Sequence, residues 1–539
     1  MNRNTISLSR LFNFENKMDW NVHKENVSFD EQGIKSKLMN LKSPCYIVKD
    51  NENYGISLDA NRNIKNGFDP VSFVPSSKIS SMGDPDFTEF HGTKYCLYGG
   101  AMAKAIASEE MVISLANKGF MGSFGAGGLT LDRIEQAIFK IKSALTKNEP
   151  YIFNLLHNPI EPAIERKTVD LYLKHKIPCV EAAAYIILSL PLVHYRIAGL
   201  ERDINGQIII KNKVIGKVSR REVASRFMSP APIEMVNDLL EKNLITKEQS
   251  ELSQLVPMAD DVTVEADSGG HTDNRSLVAL LPSLLELRDE LQEKYQFNNQ
   301  VRVGAAGGIG TPEAALAAFM MGASYVVTGS INQCCIESGS SDYTRDLLSQ
   351  ADMADVTMAP AADMFEMGVR LQVLKRGTLF PMRAQKLYDI YKEYDSIEEI
   401  PREEIVKLEK QLFKRKISDI WNDTVAFFEK VDPTQIQQAK KDPKKKMALI
   451  FRWYLGLASH WANKGEEGRE ADYQIWCGPS MGAFNMWVKG SYLEKIANRK
   501  VADVANQILT GASYLKRVQD LKSMGVNIHP RIARYKPVR

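Results

Sequence analysis

The chain has 539 residues, of which 25% are Asp, Glu, Lys or Arg, and a formal charge of +3. That length suits one large barrel with additions, or two to three domains, and the near balance of charge marks an ordinary soluble protein. The six cysteines form no CxxC pair or metal-ligand spacing, which points to a reducing compartment and no structural zinc. No apolar run reaches the roughly 18 residues that span a bilayer, and the first residues lack the apolar core of a secretory leader. A cytoplasmic protein with no membrane or nucleic-acid partner is expected.

Residues 1–90 are polar and irregular and read as a small N-terminal domain. From about 95 a rhythm sets in. Apolar or β-branched runs near 95–102, 120–126, 151–156, 179–185, 213–219, 262–267, 301–306 and 325–330 alternate with segments of helical periodicity. Ile134, Ala137, Ile138, Ile141 and Leu145 share one helical face, as do Leu284, Leu287 and Leu291. Pro282 and Pro312 fit first helical turns, where a missing N–H costs nothing. Eight strands alternating with helices imply α/β architecture and a parallel sheet closed as a (β/α)8 TIM barrel. The Asn205-Gly206 turn predicts a β-hairpin insertion within Leu192–Ile210. Past the eighth strand the chain turns helical and highly charged, with Pro401-Arg402-Glu403-Glu404 opening one helix and the basic run Lys440–Lys446 ending the segment. The division is thus 1–90, a barrel over 91–370, an inserted helical subdomain over 371–447, and a C-terminal helical region over 448–539 that ends in a Val501–Met524 helix.

Three strands run directly into glycine-rich loops: Glu265-Ala266-Asp267-Ser268-Gly269-Gly270-His271, then Gly304-Ala305-Ala306-Gly307-Gly308-Ile309-Gly310, then Thr328-Gly329-Ser330. The mouth of a barrel holds a phosphate and an isoalloxazine ring in this way. Gly307, Gly308 and Gly329 let the backbone approach a phosphate, and Ser330 adds a hydroxyl. The spacing breaks the dinucleotide fingerprint, so one phosphate, and FMN, is expected. His271 at a strand end is placed for proton transfer or for polarising a carbonyl, against the alternative of a structural loop histidine. His157, after the third strand, is a lesser candidate for the mouth. Asn154 could set an amide against a flavin edge. Lys217 is an ammonium inside an apolar strand, which calls for an anion or an electron-rich cofactor atom such as N1 of reduced flavin. Gly100, Ala101 and Met102 end the first strand with room for a ring, and Ser123–Gly128 could form part of the substrate floor.

Several of these motifs together resemble the PfaD family, trans-acting enoyl reductases of polyunsaturated fatty acid and polyketide synthases related to nitronate monooxygenase. They are Tyr98–Ala103, Val214–Arg220, Glu265–Arg275, Ala306–Pro312, Thr328–Gln333, Ala362–Val369 and Gly478–Asn485. The resemblance implies a barrel that binds FMN, with Asp267, Gly269 and Gly270 in the cofactor loop and His271 near the flavin. It implies reduction of the 2,3 double bond of an enoyl thioester on an acyl carrier protein, with NADPH or NADH as hydride donor. The same resemblance leaves a nitronate-type flavin oxidase and a non-catalytic synthase assembly subunit as alternatives, and it allows a homodimer. Lys440, Lys441, Lys444, Lys445 and Lys446, beside Lys414, Arg415 and Lys416, form the densest basic region and a candidate carrier surface, against the alternative of a solvated charge run.

Overall fold

A computed structural model describes residues 20–51, 53–64, 67–157 and 162–539. The reading of the first residues as lacking a leader falls outside them. The chain forms two compact units, one drawn from Met1–Ser81 and Leu509–Tyr535, the other from Met82–Ile508 and Lys536–Arg539. The small unit therefore ends before residue 90 and recruits a segment from far along the chain. Its antiparallel sheet sets Cys45–Asp50 between Asn53–Ser57 and Pro70–Val74. The fully buried Arg517 donates to the carbonyls of Leu38, Asn40 and Ser43 at 3.1, 2.9 and 2.7 Å.

The large unit is built on β1 (Leu97–Gly99), β2 (Met121–Phe124), β3 (Ile152–Leu156), β4 (Cys179–Ala183), β5 (Lys213–Val218), β6 (Asp261–Glu265), β7 (Arg302–Ala306) and β8 (Val326–Thr328). All neighbours are parallel and β8 closes on β1 through Val326↔Leu97 and Thr328↔Gly99, so the eight expected strands make the expected barrel. The interior is filled rather than hollow. Tyr98, Met121, Ile152, Cys179, Ile215 and Tyr325 share one core, sealed by Phe87 stacked on Tyr325 at 4.3 Å. Asp261 is fully buried and held by Arg302 at 2.7 Å and His91 at 2.8 Å. These paired groups meet the need of a buried charge for partners.

Helices follow their local signals. Thr130 caps Leu131–Ala144, which buries Ile134, Ala137, Ile138 and Ile141, and Pro312 opens Pro312–Met320 behind the cap Thr311. Pro282 is different: its helix begins at Leu277, so the proline sits inside the helix and the carbonyl of Val278 loses its helical donor. The hairpin is also shorter than expected. Ser189 caps a helix over Leu190–Ala198, and only Leu200–Arg202 and Ile208–Ile210 pair around Gly206, which adopts φ +78°.

After the barrel comes a hairpin that periodicity did not announce, β9 (Val356–Pro360) and β10 (Arg370–Leu374). The helical segment follows. Its basic run does not end it: Asp442 caps a helix over Pro443–Lys464, here α1, whose first turn holds Lys444, Lys445 and Lys446. These three bind Asp395, Glu366 and Glu398, each within 3.0 Å, and Lys414 and Arg415 face Asp472 and Asp423. Most of the basic cluster thus braces the segment internally, while Lys440, Lys441 and Lys416 stay exposed. A helix over Val501–Ser523 follows, where the Val501–Met524 helix was expected. No helix among the described residues is long and apolar enough to cross a membrane.

Candidate active site

The barrel's side-chain alternation builds the floor of its mouth. Two residues beyond the interior positions Met121, Ile152, Cys179, Ile215 and Thr263 stand Ser123, Asn154, Glu181, Lys217 and Glu265, on the same faces of β2 to β6. Lys217 Nζ lies 3.1 Å from Glu265 and 3.7 Å from Glu181. Burial works against its charge, but the two carboxylates outweigh that and hold the lysine above its ordinary value. The anion that a buried lysine calls for is therefore supplied by the protein. Glu181 is fully buried. Its Oε2 accepts from the Ala101 N–H at 3.0 Å, and its backbone carbonyl accepts from the Asn154 amide at 3.2 Å. Its Oε1 makes no hydrogen bond but faces Lys217 Nζ at 3.7 Å, and the buried Ser123 hydroxyl has no hydrogen-bond partner among the described residues. Sequence reading flagged Lys217 but passed over Glu181, although a carboxylate inside the buried run Cys179–Ala183 is the same signal.

The loops of β7 and β8 leave room above this floor. Gly307 and Gly308 adopt φ +79° and +84°, conformations that a side chain disfavours. A Cβ at Gly308 or Gly329 would meet nothing within 4 Å, whereas one at Gly307 would strike the Ala266 backbone at 2.7 Å. Gly308 and Gly329 thus border open space where a ligand can approach main chain. Ser330 Oγ accepts from the Gly478 N–H at 3.0 Å, which leaves its hydroxyl hydrogen to donate. Gly100 lies between the two halves, its N–H on the Thr328 carbonyl at 2.9 Å. The half-buried Met102 follows in the same loop, its carbonyl accepting from the Ala107 N–H at 3.1 Å.

The histidine loop is tied down on every side. Asp267 Oδ1 accepts from Gln372 at 2.8 Å and Asn274 at 2.9 Å, so this carboxylate shapes the loop. A Cβ at Gly269 would strike the Cys477 backbone at 2.8 Å, and Gly270, at φ +81°, exchanges backbone hydrogen bonds with Gln372. Ser268 donates to Glu265 at 3.1 Å and so links the loop to the floor. Arg220 grips Asp273 through Nε at 2.9 Å and a terminal nitrogen at 3.0 Å, with Ser219 donating at 2.7 Å. Arg220's hydrogen bond outweighs burial and holds Asp273 down at about 2. His271 is exposed, and its Nε2 lies 3.1 Å from Asp363 Oδ2. Its partial burial lowers the ring, but the facing Asp363 carboxylate, with Glu265 adding, keeps it above the ordinary imidazole value. His157 is otherwise engaged, its Nδ1 3.0 Å from the buried Glu165 and its ring stacked on Tyr185. Gln372, Asp363 and the Trp476–Gly478 segment are parts of the site that sequence reading missed, because each arrives from far along the chain.

Residues 84–392, more than half the chain, match the family described as nitronate monooxygenase. The chain belongs to that family. Residues 20–67 match the N-terminal domain of the fatty acid synthase component PfaD, which sets it in the PfaD branch. Residues 394–473 match the inserted helical domain of acyl-carrier-protein S-malonyltransferase. The enoyl reductase domain of MlnA, from the macrolactin biosynthesis cluster of Bacillus amyloliquefaciens, superposes with a TM-score of 0.79 at 40% identity; the match covers 83% of this chain and 100% of that one. A polyunsaturated fatty acid synthase polypeptide of Thraustochytrium sp. is 45% identical over 92% of the chain. Polyketide biosynthesis protein PksE of Bacillus subtilis is 44% identical over 91%. The PfaD-branch chain spans 33% of the first and 63% of the second, so it corresponds to part of each. Its barrel is enoyl-reductase-like and belongs to an oxidoreductase family.

Proposed function

We propose that the chain is an FMN-dependent enoyl reductase that acts on thioesters carried by an acyl carrier protein of a fatty acid or polyketide synthase, with NADPH or NADH as hydride source. The observation that carries this reading is the mouth itself, where open glycine loops, a polar floor and a histidine paired with a carboxylate stand at the ends of neighbouring strands. The residues fit the cofactor. Gly307, Gly308 and Gly329 with the Ser330 hydroxyl suit a phosphate. The orphaned hydroxyl of Ser123 costs about 1–3 kcal/mol unless something polar meets it, and the edge of a bound ring would do so. When bound, FMN supplies the hydride relay from nicotinamide to the β-carbon of the substrate. Protein groups do the rest. Asn154 and Ala101 border the floor, Glu181 and Glu265 keep Lys217 charged, and the tied loop holds His271 over the mouth. A protonated imidazole there stabilises negative charge growing on the thioester oxygen and supplies the proton for the α-carbon.

The test is spectroscopic. Under anaerobic conditions NADPH or NADH should bleach the protein's flavin, and an enoyl thioester such as crotonyl-CoA should restore the oxidised spectrum. Restoration by a nitronate and not by the thioester would overturn the reading in favour of a nitronate oxidase. A protein that purifies without flavin and takes none up would defeat both.

A further inference from the structure

The motif Ala362–Val369 belongs to neither the phosphate loops nor the floor, yet it delivers a side chain to the histidine. Asp363 lies just past β9, with its Oδ2 3.1 Å from His271 Nε2. The segment that carries it is held in place. Ala361 donates to the Val369 carbonyl at 2.8 Å, and Glu366 binds Lys445 at 2.9 Å and Arg452 at 3.4 Å, both on α1. The same hairpin also grips the other partner, since Gln372 on β10 pairs with Gly270, the residue before the histidine. One structural element thus fixes both the ring's backbone and the acceptor that meets its far nitrogen.

We propose that Asp363 is a positioning residue for turnover: its carboxylate accepts the Nε2 proton of His271, fixes the ring's orientation, and leaves Nδ1 as the nitrogen that gives up a proton. This rests on reading His271 as the proton donor. In the step, the Nδ1–H bond breaks as the C–H bond at the substrate α-carbon forms. The electron pair stays on Nδ1, and the ring ends neutral, keeping its Nε2–H, which still points to the Asp363 carboxylate. Solvent then restores the Nδ1 proton. A carboxylate on one ring nitrogen sets the tautomer and favours the imidazolium.

The other charged groups facing the pair do not replace Asp363. Glu265 on β6 is tied to Lys217, and Asp273 on the histidine's own loop is held by Arg220. Arg452 on α1 adds positive charge behind Asp363. Both partners shift as such pairing requires. Partial burial opposes each, yet the ring is held above its ordinary value and the carboxyl below its own.

The experiment follows the His271 resonance of isotopically labelled, flavin-loaded protein against pH, assigned by its loss in His271→Ala. In Asp363→Asn, which keeps an acceptor but not the charge, the midpoint should fall, and in Asp363→Ala it should fall too. The alkaline loss of kcat/KM on an enoyl thioester should move to lower pH with it, while the rate of flavin bleaching by NADPH stays put. An unmoved midpoint overturns the proposal, and so does a moved midpoint with an unmoved rate profile. A wild-type protein that never turns over an enoyl thioester defeats the functional reading instead, and the midpoint still decides whether Asp363 holds the ring.

Discussion

At the scale of single residues the floor of the mouth is an ion cluster, and that changes what Lys217 does. Two carboxylates share one ammonium, so Lys217→Met leaves Glu181 and Glu265 facing each other without a cation. Removing one partner of a buried pair costs about 3–5 kcal/mol, and the denaturation midpoint of the large unit should drop accordingly. Adding Glu181→Gln should recover roughly half of that loss, since the fully buried charge then disappears; a single mutant as stable as wild type would show that the cluster is idle. His271→Ala has a separate signature. Enoyl reduction should slow by about 10²–10⁴-fold, the usual worth of an acid–base group, while stopped-flow traces show NADPH reducing the flavin at the wild-type rate. Unchanged turnover would make His271 a structural loop residue. The charges at Lys217 and Glu181 are legible in sequence because each interrupts an apolar strand. Asp363 and Gln372 are not, since nothing local in a hairpin reveals which distant loop it will meet.

At the scale of elements, the loop that carries His271 is clamped by two ion pairs with opposite pH limits. The Asp273 carboxyl is depressed to about 2, below its unfolded value of about 3.9. Its contribution is present above that unfolded value and is lost as pH falls through the folded one. The His271 ring is raised, so its pairing with Asp363 is fully present below the unfolded imidazole value and fades as pH rises through the folded one. Protection of the amides at residues 268–275 from exchange, with the intrinsic pH dependence of exchange divided out, should therefore be greatest at mildly acid pH and fall on both sides. Arg220→Ala should abolish the fall at the acid end alone, and a flat profile in wild type would rule out the clamps. The loop after β1 stores strain of another kind, with Lys104 and Ala105 both left-handed at φ +58° and +56°. Ala105→Gly should raise stability by about 0.5–1 kcal/mol in thermal or urea unfolding, because the relief from a conformation costing about 1–2 kcal/mol exceeds glycine's added entropy. All eight barrel strands were legible, because runs buried on both faces leave a continuous apolar signature. The 190–198 helix was missed because an apolar run fits a buried helix as well as a strand. The β9–β10 hairpin is short and mixed in polarity, so its strands carry no continuous apolar run.

At the scale of the whole molecule, internal pairing of Lys444, Lys445 and Lys446 leaves Lys416, Lys440 and Lys441 as the exposed remainder of the basic region. If an acidic carrier docks there, reversing these three to glutamate should raise KM several-fold for a carrier-bound enoyl substrate and leave crotonyl-CoA untouched. Wild-type KM for the carrier-bound substrate should also rise with salt, as exposed charges are screened within about 10 Å at 0.1 M. Equal effects on both substrates would place docking elsewhere. The small unit has a consequence of a different order. Arg517 binds carbonyls of Leu38, Asn40 and Ser43, so one segment of this unit is completed by another synthesised long after it. At roughly 5–20 residues per second, the ribosome needs about half a minute to a minute and a half to travel from one to the other. The barrel strands all emerge in that interval. The nascent sheet of the small unit must wait, unfinished, until the Val501–Ser523 helix leaves the exit tunnel.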